Sequence, residues 1–374
     1  MFNNIYKNKK VIITGNTGFK GAWLTTWLLK LGANVYGLSK DIPTKPSLYE
    51  ALKLNSKIQH TFGDIRNYEV VNKLFSNVKP DFIFHLAAQP IVSSSFDDPI
   101  ETFETNVIGS VNVLQAFKKL NYRSNLIFIT SDKCYENVEW TYGYREIDSL
   151  GGKDPYSASK ACAELAFSSF FRSFINHDKN KKAVSARAGN VIGGGDWALN
   201  RIVPDAMVSW SNSKSVEIRS PKATRPWQHV LEPLSGYLRL GQLLYLKNNS
   251  LSGESFNFGP AYDQNKTVLE LLKKLGDQWK SSNNQLKTDI LINTPKDLLE
   301  ANLLKLNCDK ALHNLNWKPV LDFKSTIQFT GDWYYEFYFN KNNEKLLFDY
   351  TKNQIELYEQ KAKEQSISWA KSKK

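Results

Sequence analysis

The sequence predicts an α/β fold: a doubly wound parallel sheet joined to a smaller, mixed C-terminal substrate domain. Three observations carry that expectation. Residues 11–21 read Val-Ile-Ile-Thr-Gly-Asn-Thr-Gly-Phe-Lys-Gly, a short apolar run that enters a turn with glycine at every third position. Apolar runs then alternate with helical periodicities as far as about residue 190. Beyond that point the alternation fails and the segments become short and loop-rich.

A chain of 374 residues is long enough for two domains. The expected division gives residues 1–190 to a dinucleotide-binding domain, to which 230–258 return. Residues 191–229 and 259–340 form the substrate domain, and 341–374 a polar, solvated helical tail. Ten Trp, 17 Tyr and 21 Phe are inconsistent with extended disorder. No apolar run is long enough to cross a bilayer, and the first residues run straight into a strand, leaving no room for a signal peptide. Cys134, Cys162 and Cys308 share no metal-ligand spacing, and an odd, scattered set suits reduced thiols in a cytoplasm. The net charge of +12 comes mostly from lysines on the tail and on helix faces, which reads as solvated surface. Nucleic acid and membrane are therefore not expected partners, whereas anionic ligands are favoured.

The elements follow in order. Val11–Ile13 is a β-branched strand. Gly15 allows a tight turn, Gly18 lets a phosphate approach backbone N–H groups, and Gly21 lets the following helix, 22–31, pack close to the strand. A second strand, 34–38, ends at Ser39, Lys40 and Asp41. Ser39 occupies the place of a ribose acceptor, and this segment mildly favours NAD over NADP. A third strand, 58–65, places Asp64 and Ile65 at the adenine. A fourth, 80–88, ends in Ala87 and Ala88, small enough for a cofactor to pass, and His85 reads as a core histidine. An amphipathic helix over 105–120 carries Asn106 near its start.

The fifth strand, 126–130, delivers Thr130, Ser131, Asp132 and Lys133 to the carboxyl edge of the sheet, where such folds bind ligands. Tyr156 and Lys160 are four apart at the start of a helix and so share a face. An ammonium beside a phenol lowers the phenol's pKa and makes it a usable base. A sixth strand begins at 183 and runs into the glycine-rich loop 193–195. Beyond it, Arg201, Arg219 and Arg225 are three of only nine arginines, suited to clamping a diphosphate. A helix over 234–247, a strand over 255–259 and a helix over 267–282 complete the regular elements.

Taken together these residues resemble the extended short-chain dehydrogenase/reductase superfamily. Its general marks are Thr-Gly-x-x-Gly-Phe-x-Gly at 14–21, His-Leu-Ala-Ala at 85–88, Asn106, and Tyr156 with Lys160. Within it the chain is similar to the CDP-glucose 4,6-dehydratases. The narrower marks are Gly-Asn-Thr-Gly-Phe-Lys-Gly-Ala-Trp-Leu at 15–24, Thr-Ser-Asp-Lys-Cys-Tyr-Glu-Asn at 130–137, and the long segments 186–205 and 225–231. The resemblance implies a Rossmann-type fold and tightly held NAD contacted by Gly15, Asn16, Thr17, Gly18, Phe19, Lys20, Gly21, Ser39, Asp64, Ile65, Leu86, Ala87, Ala88, Asn106, Thr130, Tyr156 and Lys160. It implies conversion of CDP-glucose to CDP-4-keto-6-deoxyglucose and water. Tyr156 takes the proton of the 4-hydroxyl, Lys160 holds the nicotinamide ribose, Ser131 bonds the C4 oxygen, and Asp132 protonates the departing 6-hydroxyl. Related dehydratases carry Glu, the expected C5 base, where this chain has Lys133, and the role of Lys133 stays open. Gln89, Asn190, Arg201, Arg219, Arg225 and His229 are the implied substrate contacts, and a homodimer or higher homo-oligomer is implied through the helices at 105–120 and 157–175. The alternatives weighed beside this are a dehydratase or epimerase for another nucleotide sugar, and a catalytically silent NAD-sensing or RNA-binding protein on the same fold.

Overall fold

A computed structural model describes residues 1–246, 249–261, 264–293, 303–340 and 344–371. At its centre are seven strands: β1 (Lys10–Thr14), β2 (Asn34–Ser39), β3 (Gln59–Phe62), β4 (Phe82–His85), β5 (Ser124–Ile129), β6 (Lys181–Ala188) and β7 (Ser255–Phe258). They lie in the order β3-β2-β1-β4-β5-β6-β7, and every pairing is parallel. The fold is Rossmann-like. Successive strand residues point to opposite faces, so a strand apolar throughout is buried on both. Ile12, Ile83, Leu126 and Phe128 accordingly join the core on one face, and Val11, Ile13, Phe82, Phe84, Ile127 and Ile129 the core on the other.

Helices cover both faces. Trp23 and Trp27 of α1 (Phe19–Lys30) pack into the larger core. Phe75 of α2 (Tyr68–Val78), Phe117 of α3 (Gly109–Lys119) and Phe167 of α4 (Pro155–Phe170) pack into the smaller one. Three helices follow in chain order: α5 (Ile202–Ser211), α6 (Leu231–Tyr245) and α7 (Val268–Ser282). After residue 190, β7 apart, the described strands are short two-stranded pairs, 191–192 with 228–229, 216–218 with 290–292, and 224–226 with 265–267.

Three expectations shift. The third strand stops at Phe62, which leaves Asp64 and Ile65 in the loop beyond it. The helical stretch expected from 105 begins at Pro99, because Asp98 accepts the Glu101 N–H and proline suits the first helical position. It passes through a π-turn at Glu104–Ile108, which holds Asn106, before becoming α3. The helix expected to end at Lys247 is α6, and Lys247 lies outside the described residues.

The solvated tail is corrected. Helix α8 (Phe323–Phe339) is followed by α9 (Glu344–Glu364), which packs on α1 and α8 and buries Ile355, Tyr358 and Ala362. Glu359 accepts a hydrogen bond from the Trp27 indole at 2.8 Å and pairs with Lys30 at 2.8 Å. Past α9, Trp369 is buried and stacks on Phe2, ring centroids 4.9 Å apart. Residues 341–343 and 372–374 of this stretch lie outside the described residues. Among the described residues no helix is long and apolar enough to cross a membrane, and no cluster of metal-ligating side chains occurs.

Candidate active site

The glycine turn is built as the spacing requires. Gly15 has φ +76°, and a Cβ there would lie 2.7 Å from the Ala87 backbone nitrogen. A Cβ on Gly21 would lie 2.1 Å from the Gly15 carbonyl oxygen. Gly18 caps α1 without a side-chain bond, and the first turn carries no acidic residue, so its leading N–H groups face outward for an anion. Asn16 and Thr17 brace the turn from beneath. Ser39 Oγ donates to Asn16 Oδ1 at 2.9 Å and accepts the Thr17 N–H at 3.3 Å, while Thr17 Oγ1 donates to the Asp41 carbonyl. Ser39 is thereby buried at the end of β2, its hydroxyl bonded to the turn.

The strand order reverses between β1 and β4, the place where such sheets hold ligands. Leu86, Ala87 and Ala88 leave β4 there half-buried. Thr14 Oγ1 accepts the Ala87 N–H and lies 2.7 Å from His85 Nδ1, and His85 Nε2 meets Ser110 at 3.1 Å. Buried and bonded at both nitrogens, His85 is the core histidine expected, and burial takes its pKa down to about 3. Asp64 accepts from Arg66 through both oxygens, and Ile65 is buried against Gly109. Asn106 is fully committed: it accepts the Gln89 N–H and donates to the Gln89 carbonyl and to Ser159. The Gln89 amide donates to Thr102 and accepts the Ile91 N–H.

At the end of β5, Thr130 donates to Glu164, and Ser131 caps the short turn Asp132–Cys134. Ser131 Oγ accepts the Lys133 N–H at 3.2 Å and donates to Asp132 Oδ1 at 2.9 Å. Asp132 is only 5% exposed, and burial raises its carboxyl above the usual range. Asp154 and Pro155 start α4 and so bring Tyr156 and Lys160 to the same edge. The Tyr156 phenol is buried with Ser131 beside it, and burial pushes it up to about 12. The depressed phenol expected from Lys160 is therefore corrected. Lys160 Nζ lies 5.8 Å from the centre of the Tyr156 ring, and burial, then Lys20, draws the amine itself down to about 8. Beneath this centre runs a buried ion pair that the sequence reading did not single out: Arg187 to Glu164 at 2.9 Å, with Arg187 also donating to the Tyr135 hydroxyl at 2.8 Å.

On the facing side, Asn190 is exposed just beyond β6, and a Cβ on its neighbour Gly189 would stand 3.2 Å from Asp132 Oδ2. Arg201 bonds buried Asp196 at 2.9 Å and is coupled electrostatically to Tyr156. Asp196 is a second residue missed. The signal was an aspartate directly after the glycine run and five residues before Arg201. Arg219 is exposed and coupled to Asp205 of α5, and Arg225 donates to the Thr224 carbonyl on the strand 224–226. His229 is fully buried, edge-on to Trp23 and Phe329, with Nδ1 accepting the Leu231 N–H. It packs in the core, which corrects its placement against a nucleotide. Lys20 lies in electrostatic reach of Asp132, Lys160, Asp196 and Arg201.

A glycine-turn site of this form, with Tyr156, Lys160 and Asp132 at one sheet edge, matches a known family model, that of GDP-mannose 4,6 dehydratase, over residues 12–330. The chain belongs to that family. Among curated members, it is 44% identical over 335 residues to the CDP-glucose 4,6-dehydratase of Salmonella typhimurium, covering 88% of this chain and 92% of that one. It is 27% identical over 354 residues to the CDP-paratose 2-epimerase of Salmonella typhi, covering 87% and 98%. Among solved structures the fold matches the epimerase Mth375 of Methanothermobacter thermautotrophicus with a TM-score of 0.76 at 24% identity, covering 92% of this chain and 96% of that one. It also matches the dTDP-glucose 4,6-dehydratase of Bacillus anthracis in complex with NAD, TM-score 0.70 at 21% identity, covering 91% and 99%.

Proposed function

We propose that this family member is a CDP-glucose 4,6-dehydratase, a hydro-lyase that uses NAD to form CDP-4-keto-6-deoxyglucose and water. The observation that carries the reading is Asp132: a buried carboxyl, held by Ser131 and raised above the usual carboxylate range by burial, at the same sheet edge as Tyr156. An epimerase acting at C4 has no use for an acid aimed at a 6-hydroxyl. The 44% identity to a curated CDP-glucose 4,6-dehydratase supports the choice of substrate.

The glycine turn fits a dinucleotide, since Cβ atoms at Gly15 and Gly21 would fill the space that the turn keeps for close packing. Gly15, Gly18 and Gly21 with the leading N–H groups of α1 would hold the diphosphate, and Lys160 the nicotinamide ribose. When bound, NAD supplies a hydride acceptor and later a hydride donor. Tyr156, as the phenolate, takes the proton from the sugar 4-hydroxyl; burial raises its pKa and keeps it a phenol until positive charge stands nearby. Ser131 hydrogen-bonds the C4 oxygen, and Asp132 gives its proton to the departing 6-hydroxyl. Arg201, anchored by Asp196, would contact the substrate's diphosphate, and Asn190 the sugar-phosphate region.

The division into a cofactor domain, a substrate domain and a C-terminal extension belongs to this reading. So does a homodimer through the helical stretches 99–119 and 155–175, which expose Ile100, Ile108, Leu165 and Phe174. A cytoplasmic location completes it. The test is to incubate the protein with CDP-glucose, dTDP-glucose and UDP-glucose and to look for the strong-base absorbance of 4-keto-6-deoxy products. Product from CDP-glucose alone is expected, and product from another nucleotide alone would refute the substrate assignment.

A further inference from the structure

We propose that Glu164 and Arg187 are positioning residues: as one buried ion pair they fix the turn that carries Ser131 and Asp132 against the helix that carries Tyr156 and Lys160. The inference rests on the dehydratase reading and deepens it, since that reading needs Tyr156 at C4 and Asp132 at C6 of a single sugar. Tyr156, Lys160 and Glu164 follow one another at intervals of four along α4 and so lie on one face of it. The Glu164 carboxylate, 2% exposed, accepts the Thr130 hydroxyl through Oε1. Through Oε2 it accepts the Ser185 hydroxyl and the Arg187 guanidinium, each at 2.9 Å. Arg187 comes from β6, one residue past the point where the Thr130 N–H meets the Ala186 carbonyl. Its Nη1 donates to the Tyr135 hydroxyl at 2.8 Å and to the Glu146 carbonyl at 3.2 Å. The Tyr135 hydroxyl in turn donates to Asn257 Oδ1 of β7 at 2.7 Å. Thr130 is the residue before the cap Ser131, and Tyr135 is the residue after Cys134. The same ion pair therefore grips the turn at both ends, and one half of it is mounted on the helix of Tyr156.

Such an arrangement does more for geometry than for stability. A buried ion pair gains little over apolar side chains of the same volume, because both charges have given up water. Its bonds are directional, however, and the guanidinium is a rigid planar fork. Nη1 serves Tyr135 and Nη2 serves Glu164, so the turn cannot shift against α4 without breaking one of these bonds. Oxidation at C4 is served chiefly by α4 and the cofactor, whereas elimination also needs Asp132 in place. A displacement of about 1 Å can cost ~100-fold in rate. Loosening either end of the turn should therefore slow elimination more than oxidation.

The experiment gives CDP-glucose to the NAD-loaded wild type, Tyr135→Phe and Thr130→Val. It follows the absorbance of reduced nicotinamide and the strong-base absorbance of the 4-keto-6-deoxy product, with rates expressed per folded, cofactor-loaded site. Each variant deletes one hydroxyl at one end of the turn and leaves both members of the ion pair in the chain. In each, kcat should fall about 10–100-fold while KM for CDP-glucose stays within about threefold of the wild type. Reduced nicotinamide should persist, because product formation falls further than nicotinamide reduction. Arg187→Lys keeps the charge but cannot serve Tyr135 and Glu164 together, and should show the same pattern. A merely structural role would lower the number of folded sites and leave the rates per site unchanged, or slow both steps in proportion; either result overturns the proposal. Wild-type kinetics in Tyr135→Phe or in Thr130→Val, or full rescue by lysine at 187, also overturn it. A wild type that leaves CDP-glucose unchanged overturns the dehydratase reading, and the proposal with it.

Discussion

Glu232 offers a direct test of how burial and hydrogen bonding compete in this core. It is 1% exposed at the start of α6. Oε1 accepts the Leu321 N–H at 2.7 Å and the Val320 N–H at 3.1 Å, and Oε2 accepts the Tyr358 hydroxyl at 2.8 Å. These bonds favour the carboxylate, yet burial outweighs them and raises the group from its ordinary 4.5 to about 7. Between those values the folded protein holds a proton that the unfolded chain has released. The stabilisation is complete below 4.5 and is lost as pH rises through about 7. At roughly 1.4 kcal/mol per pH unit, the interval corresponds to about 3 kcal/mol. Glu232→Gln removes the titration. It also replaces one acceptor oxygen by a donor facing other donors, which adds a pH-independent cost of about 1–3 kcal/mol to the titration effect. The assay is urea unfolding of both proteins from about pH 4.5 to about pH 8 at constant ionic strength. The difference in stability, wild type minus variant, should fall by about 3 kcal/mol across this range, and contributions from buried histidines cancel in the difference. A flat difference, or one that rises with pH, would refute the reasoning.

Three further outcomes are expected. Gly21→Ala drives a Cβ against the Gly15 carbonyl and should purify without bound nucleotide while keeping its helical circular dichroism; a normal nucleotide content in the denatured extract would count against the turn as the cofactor cradle. Lys133→Met should abolish dehydration and leave NAD binding intact, checked by product absorbance and by titration with the cofactor. Arg187→Met leaves the Glu164 carboxylate buried without its cation and should lower unfolding stability by about 3–5 kcal/mol, a loss that chemical denaturation would reveal.

The sheet was legible because its strands are short, apolar and buried on both faces, and because the glycine beat at 15, 18 and 21 has a single good use between a strand and a helix. The pairing of Tyr156 with Lys160 was legible because helical spacing alone sets it. What faces what across the site was not. Lys20, Asp132, Lys160 and Asp196 are separated by many tens of residues, and only the strand order brings them together. His229 was misplaced, and the bonds that Ser39 and Gln89 make within the chain went unforeseen, for a related reason. Their residue types suit ligands, but neighbouring backbone and side chains had already claimed their polar atoms or covered them. The C-terminal helix concealed its pattern under Lys, Asn, Glu and Gln. The stripe was present in Thr351, Ile355, Tyr358 and Ala362, spaced by four, three and four, which is one face of a helix.

The contact between α9 and α1 also bears on the order in which the molecule can be made. A ribosome produces the glycine turn and Trp27 well before Tyr358, Glu359 and Trp369, which cover Trp27. Until those residues emerge, the nascent chain carries an uncovered aromatic face, a surface of the kind that recruits chaperones. The outer face of α1 is thus closed by a helix made hundreds of residues after it.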